Sequence, residues 1–248
     1  MIISVITVVR NGVQTIGRCI DSVRAQKGVE IEYIIIDGAS NDGTLDVLKS
    51  RSKDINSLIS ENDYGIYDAM NKGLRLARGD IISILNADDI FAHDQVLMNI
   101  QKNFIQLNLD ALYGDLEYFK VGHPFNAVRT YRSNRFRPEQ LSCGWMPAHP
   151  TLFLHRRVYD AYGFFDPSYK IAGDFELICR IFKEGKLRSL YMPEVLVRMQ
   201  LGGISTSGLK STCLLLQENL RACKKNNIQS NYIKLMTRYP RKILEYLL

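Results

Sequence analysis

The chain has 248 residues, 46% hydrophobic and 23% charged, enough to bury a full core as one large domain or one domain with an appendage. Its five cysteines, Cys19, Cys143, Cys179, Cys213 and Cys223, are scattered and never in C-x-x-C spacing, which argues against a disulfide framework or a zinc knuckle and for a reducing cytosol. The net charge of +6 lies in residues 221–248, where seven basic residues face one acid; the first 220 residues carry 25 of each sign and offer no basic stripe for nucleic acid.

The apolar opening, residues 2–9, has no basic residue before its run and reads as a buried first strand rather than a signal sequence. No apolar run approaches the roughly 18 residues of a membrane span. Asn11-Gly12 turns into a helix over 13–26, with Ile16, Ile20 and Val23 at helical spacing. Residues 31–37 form a second strand ending on Asp37, and the turn-rich Gly-Ala-Ser-Asn-Asp-Gly-Thr opens a helix at 44–51. That loop lacks the Gly-Lys-Ser/Thr of a P-loop and the G-x-G-x-x-G of a dinucleotide fold, so Ser40 and Asp42 read as turn and capping residues. A short strand at 56–60 leads into Asp-Tyr-Gly-Ile-Tyr-Asp-Ala-Met-Asn-Lys-Gly and a helix to Arg78.

The fourth strand, 81–85, runs straight into Asn86, Asp88 and Asp89. This repeated strand-helix alternation predicts an α/β fold with a mostly parallel central sheet flanked by helices. Strands ending near Arg10, Asp37 and Asn86 would place polar residues along one edge of it. After a helix at 94–105, residues 109–119 and 127–132 read as a small antiparallel extension, with Arg129, Arg132, Arg135 and Arg137 nearby. A helix at 156–162 follows, then Asp174 and Glu176 at the start of a helix running to about Lys183, a strand at 187–198, a glycine-bearing loop at 201–206 and a helical C-terminal tail. Residues 1–206 are expected to form one domain, with 1–105 as a nucleotide-sugar half and 106–206 as an acceptor half, and residues 207–248 a basic tail. That tail suits either an anionic membrane surface or a packed helix with a solvated basic face.

Asp37, Asp88 and Asp174 each sit where one regular element gives way to another. Singly such a residue is a helix cap, and Asp88 and Asp89 could cap a helix beginning near His93. Together they suggest chemistry with a divalent cation, a diphosphate and a base: Asp88 on the cation, Asp174 taking a proton from an incoming hydroxyl. His149 is a candidate for facing a sugar hydroxyl, and the arginines at 129–137 could grip an anionic acceptor or be a solvated loop.

The runs Ile-Ser-Val-Ile-Thr-Val-Val-Arg-Asn, Ile-Ile-Asp-Gly-Ala-Ser-Asn-Asp-Gly-Thr, Asp-Tyr-Gly-Ile-Tyr-Asp-Ala-Met-Asn-Lys-Gly, Leu-Asn-Ala-Asp-Asp and Ala-Gly-Asp-Phe-Glu-Leu together resemble family 2 glycosyltransferases of bacterial surface-polysaccharide synthesis, the O-antigen, capsule or colanic-acid type. The resemblance implies a GT-A fold, a nucleotide-diphospho-sugar donor (UDP foremost), Mn2+ or Mg2+, inversion at the anomeric carbon and a lipid-diphosphate-linked saccharide acceptor. It implies a cytoplasmic enzyme, peripheral on the inner face of the membrane if the tail binds there. Carried over by position, Thr7, Val9 and Arg10 line the nucleoside pocket and Asp37 meets the base, with Asp68, Asn71 and Lys72 near the base, ribose or phosphates. Asn86-Ala87-Asp88 takes the Asp-x-Asp position with Asp88 as metal ligand; Asp174 is the catalytic base with Glu176 close by, and His149 faces the acceptor. Three departures stand out: Asn86 where the motif's first Asp is common, Gly38 in place of a frequent second Asp, and Arg10 where Tyr is frequent. The competing classes are a catalytically silent nucleotide-binding or scaffold protein and a sugar-nucleotide transferase, the latter disfavoured by a glycine-poor first loop.

Overall fold

The computed structural model describes residues 1–202 and 209–237. Four strands, β1 (Ile3–Val9), β2 (Ile31–Asp37), β3 (Ser57–Ser60) and β4 (Ile81–Ile84), run parallel in the order β3-β2-β1-β4. The Ile- and Val-rich runs of β1, β2 and β4 follow from burial on both faces, as parallel strands under helices require, whereas the edge strand β3 is Ser-Leu-Ile-Ser and only half-buried. Even-numbered positions of β1 and β2 (Ile6, Val8, Ile34, Ile36) pack toward α3 (Ile66–Leu76) and α6 (Gly173–Phe182), whereas odd ones (Ile3, Val5, Val9, Tyr33, Ile35) pack toward α1 (Ile16–Arg24), α2 (Thr44–Ser50) and α4 (Val96–Leu107). Gly73 lets α3 lie against β1, since a Cβ there would strike the Ile6 side chain.

The register pairs Val9 with Asp37, so β1 and β2 end level, and Ile6 with Ile84, so β4 ends three residues earlier; all three run the same way and their following loops share one edge, as expected. Past β4 the sheet becomes mixed. β6 (Ala111–Phe119) pairs antiparallel with β7 (Ala127–Tyr131) and parallel with β9 (Ser189–Gln200). Two strands went unforeseen: β8 (Phe153–His155) fills the place between β4 and β6, and β5 (Ile90–Phe91) pairs with β9. Both are too short for alternation to register in a sequence.

Asp88 and Asp89 do not cap a helix. α4 begins only at Val96, its N-cap is Gln95, and no side chain caps it. α5 (Arg156–Tyr162) leads to α6, and α7 (Leu209–Lys225) packs on α6 with Ala222 and Cys223 in the same core layer. A last short helix, α8 (Tyr232–Met236), is anchored by the buried Leu235. Gly203 to Thr206 of the glycine-bearing loop, and the basic residues Arg238, Arg241 and Lys242 of the tail, lie outside the described residues. No described helix is long and apolar enough to cross a membrane.

Candidate active site

The loops at the carboxyl ends of β1 and β4 form one wall of a cleft of about 800 Å³, to which they bring Val9, Arg10, Asn86, Ala87 and Asp88. The same cleft is lined by Trp145, Met146, His149 and Asp174, and by Gln200 at the end of β9. Seven of the expected residues therefore converge: Val9, Arg10, Asn86, Ala87, Asp88, His149 and Asp174.

Asp88 sits on the turn directly after β4, half-buried, and burial pushes its carboxyl up despite the opposing charge of Arg18. Arg18 reaches across from α1, donating to the Asp88 carbonyl (3.2 Å) and to Gln200 Oε1 (2.9 Å), and so fixes the turn from behind. Beneath it Asp89 is fully buried; burial first, then the neighbouring Asp88 charge, hold its carboxyl far above the ordinary range, while Asn86 Nδ2 donates to it at 3.1 Å. Asn86 Oδ1 is buried without a partner among the described residues. Among the described residues no three His, Cys, Asp or Glu side chains are grouped to hold a metal by themselves. A half-buried carboxylate beside an unpaired amide oxygen, open to a cleft, does fit a hard divalent ion that keeps several waters and takes its remaining oxygens from a substrate phosphate.

Asp174 lies in the first turn of α6. Its Oδ1 accepts from the Phe175 amide (2.8 Å) and lies 3.4 Å from the Tyr67 hydroxyl, which donates more closely to the Ile171 carbonyl (2.6 Å). Gly173 is required here, because a Cβ would come within 2.7 Å of the Tyr67 ring. That ring stacks on Phe165, centroids 5.6 Å apart, and Phe165 meets His149 edge-on at 5.8 Å. Burial lowers the His149 pKa, with Asp174 pulling the other way, so the imidazole is neutral at pH 7 and can donate or accept one hydrogen bond.

The other expected residues do not line this cleft. Thr7 lies further back along β1, wholly buried, its hydroxyl 3.2 Å from Tyr33 Oη. The buried Asp37 carboxylate accepts from the amide and hydroxyl of Ser40 and from Ser60 Oγ (2.6 Å). Lys72 binds the Asn62 carbonyl (2.8 Å), Glu61 (2.8 Å) and Asp68 (3.5 Å), tying down the 61–64 loop. Asn71 clamps both backbone groups of Phe165 at 2.9 and 3.0 Å. Glu176 is enclosed and paired with Arg180 (2.9 Å) and Lys225 (3.1 Å); burial opposes its ionisation, but those two cations outweigh it and lower its pKa. Of the four arginines, Arg129 alone lines the cleft, its guanidinium 4.7 Å from the Tyr118 ring.

Several residues escaped sequence reasoning. Asp63 lines the cleft, and its Oδ2 fills the space a side chain at Gly38 would need, so a carboxylate stands there after all. Tyr67 was within reach of the motif that named Asp68 and Asn71. Glu218 of α7 has no local signal: its buried carboxylate accepts from the amides of Lys170, Ile171 and Ala172, each at 2.9 Å, and so holds the loop entering Asp174. Asn219 beside it lines the cleft.

A parallel sheet under helices, extended by antiparallel strands and carrying an acidic turn over a cleft, defines a GT-A glycosyltransferase fold. The model of glycosyl transferase family 2 matches residues 4–163, and the chain belongs to that family. It is 26% identical over 214 residues, 82% of this chain and 79% of the relative, to a PGL/p-HBAD biosynthesis glycosyltransferase of Mycobacterium bovis. An uncharacterized glycosyltransferase of Rickettsia prowazekii is 26% identical over 83% of this chain and 66% of its own length. S. aureus TarS in complex with UDP-GlcNAc superposes with a TM-score of 0.65 at 16% identity, covering 88% of this chain and 66% of that one. The mannosyltransferase PcManGT of Pyrobaculum calidifontis, solved with GDP-Man and Mn2+, gives 0.62 at 19% identity over 88% of this chain and 64% of that one. This chain thus spans about two thirds of each of these two solved chains. The protein is a glycosyltransferase.

Proposed function

We propose that the enzyme is an inverting transferase that moves a sugar from a nucleotide-diphospho-sugar, UDP-linked in the first instance, to a hydroxyl of a lipid-diphosphate-linked saccharide in bacterial surface-glycan assembly. The observation that carries this reading is the meeting of Asp88 and Asp174 across one cleft, from elements 86 positions apart in sequence. Asp174 accepts the proton of the acceptor hydroxyl as its oxygen attacks the anomeric carbon. The bond from that carbon to the diphosphate breaks on the opposite face, and its electron pair leaves with the nucleoside diphosphate. His149, neutral, orients the acceptor; Arg10 and the β1 loop hold the donor. Asp88, with Asn86 Oδ1 near it, would hold Mn2+ or Mg2+, which when bound supplies neutralisation of charge on the diphosphate. Most of the rate would come from positioning and from charge stabilisation in a site closed to water.

The ligands of the solved neighbours favour UDP, with GDP as the second candidate, and the Mn2+ of PcManGT supports a divalent ion. Arg129 and Lys170 on the acceptor wall suit an anionic acceptor. The exposed Tyr232, Ile233 and Met236 of α8 beside Lys224 and Lys234 suit a membrane surface, where such an acceptor resides. The test is a melting panel of UDP-, GDP-, dTDP- and CMP-linked compounds with and without Mn2+. A ligand at a hundredfold excess over its Kd stabilises the fold by about 2.7 kcal/mol. We expect one nucleotide to give a metal-dependent shift that Asp88→Ala abolishes, and Asp174→Asn to bind it but turn over at least about a hundredfold more slowly. Near wild-type turnover by folded Asp174→Asn would end the base assignment, and no shift with any nucleotide would end the donor assignment.

A further inference from the structure

Asn219 is 1% exposed, yet neither its Oδ1 nor its Nδ2 has a partner among the described residues. Native proteins rarely leave one such group unpaired, and a buried primary amide with both ends unpaired is costly to the fold. It is a lining residue of the cleft, on the same wall as Lys170, Ile171 and Asp174. Its neighbours on α7 fix it firmly. Glu218 grips the 170–172 loop, Arg221 donates to Ser168 Oγ (2.6 Å) and lies over the Tyr169 ring (4.4 Å), and Leu215 adds an apolar contact surface to the cleft. The amide is thus held rigid by partners that leave its own polar atoms free.

We infer that Asn219 is an acceptor-specificity residue, its Nδ2 donating to one sugar hydroxyl and its Oδ1 accepting from an adjacent one. An amide offers this donor and acceptor side by side, and a pair of neighbouring sugar hydroxyls offers the complement. The aromatic and apolar groups on the same wall, Trp145, Met146 and Leu215, suit the C–H face of a pyranose. α7, like Asp174, lies outside the span 4–163 matched by the family model. The inference rests on the glycosyl-transfer reading above and adds to it the group that selects the acceptor.

The experiment uses the full chain and the variant Asn219→Leu, which keeps the side-chain size and removes both polar atoms. Its first arm needs no catalysis: the ligand-free melting temperature is expected to stay level or rise, because an unpaired buried amide is replaced by an apolar group. A clear fall would show that the fold itself pairs the amide and would overturn the inference. The second arm uses p-nitrophenyl glycosides of gluco, galacto, manno and rhamno configuration as acceptor probes with the donor found in the melting panel. The best of these is expected to lose at least about tenfold in acceptor kcat/KM, chiefly through KM, with its preference over the other configurations flattened. An unchanged ranking and KM would overturn the inference while leaving the transferase reading intact. Failure of the wild type to glycosylate any probe would count against the acceptor class proposed above, and the melting arm would then decide Asn219 alone.

Discussion

Replacing Glu218 by alanine should damage both the fold and the turnover, and the size of each effect follows from three hydrogen bonds. The carboxylate accepts from the amides of Lys170, Ile171 and Ala172, all at 2.9 Å, and is itself buried. Hydrogen bonds to a charged group contribute about 1.5–3 kcal/mol each, but they share one acceptor and water can reach the exposed Lys170 end, so a loss of about 3 kcal/mol is expected rather than the sum. Glu218→Gln keeps the shape but turns an NH2 toward amide donors, and should cost about 2 kcal/mol. The loop these bonds hold enters α6 one residue before Gly173 and two before Asp174, and a shift of about 1 Å at a catalytic group costs roughly a hundredfold in rate. Urea unfolding with linear extrapolation would measure the first effect. Release of nucleoside diphosphate by Glu218→Gln, assayed far below its unfolding midpoint, would measure the second, with kcat falling and donor KM little changed. A purely structural role would lower stability and spare kcat. Alanine within about 0.5 kcal/mol of wild type would refute the reasoning outright.

Acid stability offers a further check. Burial opposes ionisation of Asp166, but hydrogen bonds from Lys225 (2.8 Å) and Ser168 (2.9 Å) outweigh it and hold its pKa at about 2, below the ordinary 3.8. A depressed carboxyl stabilises the fold fully above its unfolded pKa and loses that contribution as the pH drops through the folded one. The stability gap between wild type and Asp166→Asn should therefore be full at pH 5 and shrink by pH 3; a gap independent of pH would show that the ion pair to α7 contributes nothing. The surface of α8 predicts a different loss: Ile233→Glu with Met236→Glu, both at exposed positions, should reduce sedimentation with vesicles containing anionic lipid, and equal sedimentation would remove the membrane contact.

The first half of the fold was legible because its signals are local. Ile-rich runs of four to seven residues bounded by turn signals read as buried strands, and Ile16, Ile20 and Val23 read as one helix face, which the structure extends with Cys19. Parallel direction is what carries the loops after those strands, with Asn86 and Arg10, to one edge. The rest depended on contacts between distant segments. Thr7 shares a strand face with the cleft-lining Val9 and reads as a site residue, yet it sits two residues further back along β1, where its hydroxyl meets Tyr33. Glu176 looks like a partner of Asp174, but two residues along a helix turn it toward Arg180 and Lys225. Glu218 and Asn219 fall in the tail, for which a membrane surface and a packed helix were both open, and only the packing of α7 on α6 reveals what they do.

The same geometry explains why asparagine can stand at position 86. Asp89 is sealed beneath Asp88, and Asn86 Nδ2 donates to it at 3.1 Å. An aspartate at 86 could give no such bond and would add a third carboxylate to a pair whose charges already oppose one another. Losing that bond and adding a partly buried like charge predicts a metal-free Asn86→Asp protein about 2 kcal/mol less stable than wild type. Added Mn2+ should recover part of the loss, because a divalent ion binds the more charged site more tightly and stabilises whatever it binds. Melting curves of both proteins across a Mn2+ titration would decide it. Equal stability without metal would mean that the bond to Asp89 does not organise the turn. A deficit that Mn2+ leaves untouched would place the ion away from residue 86.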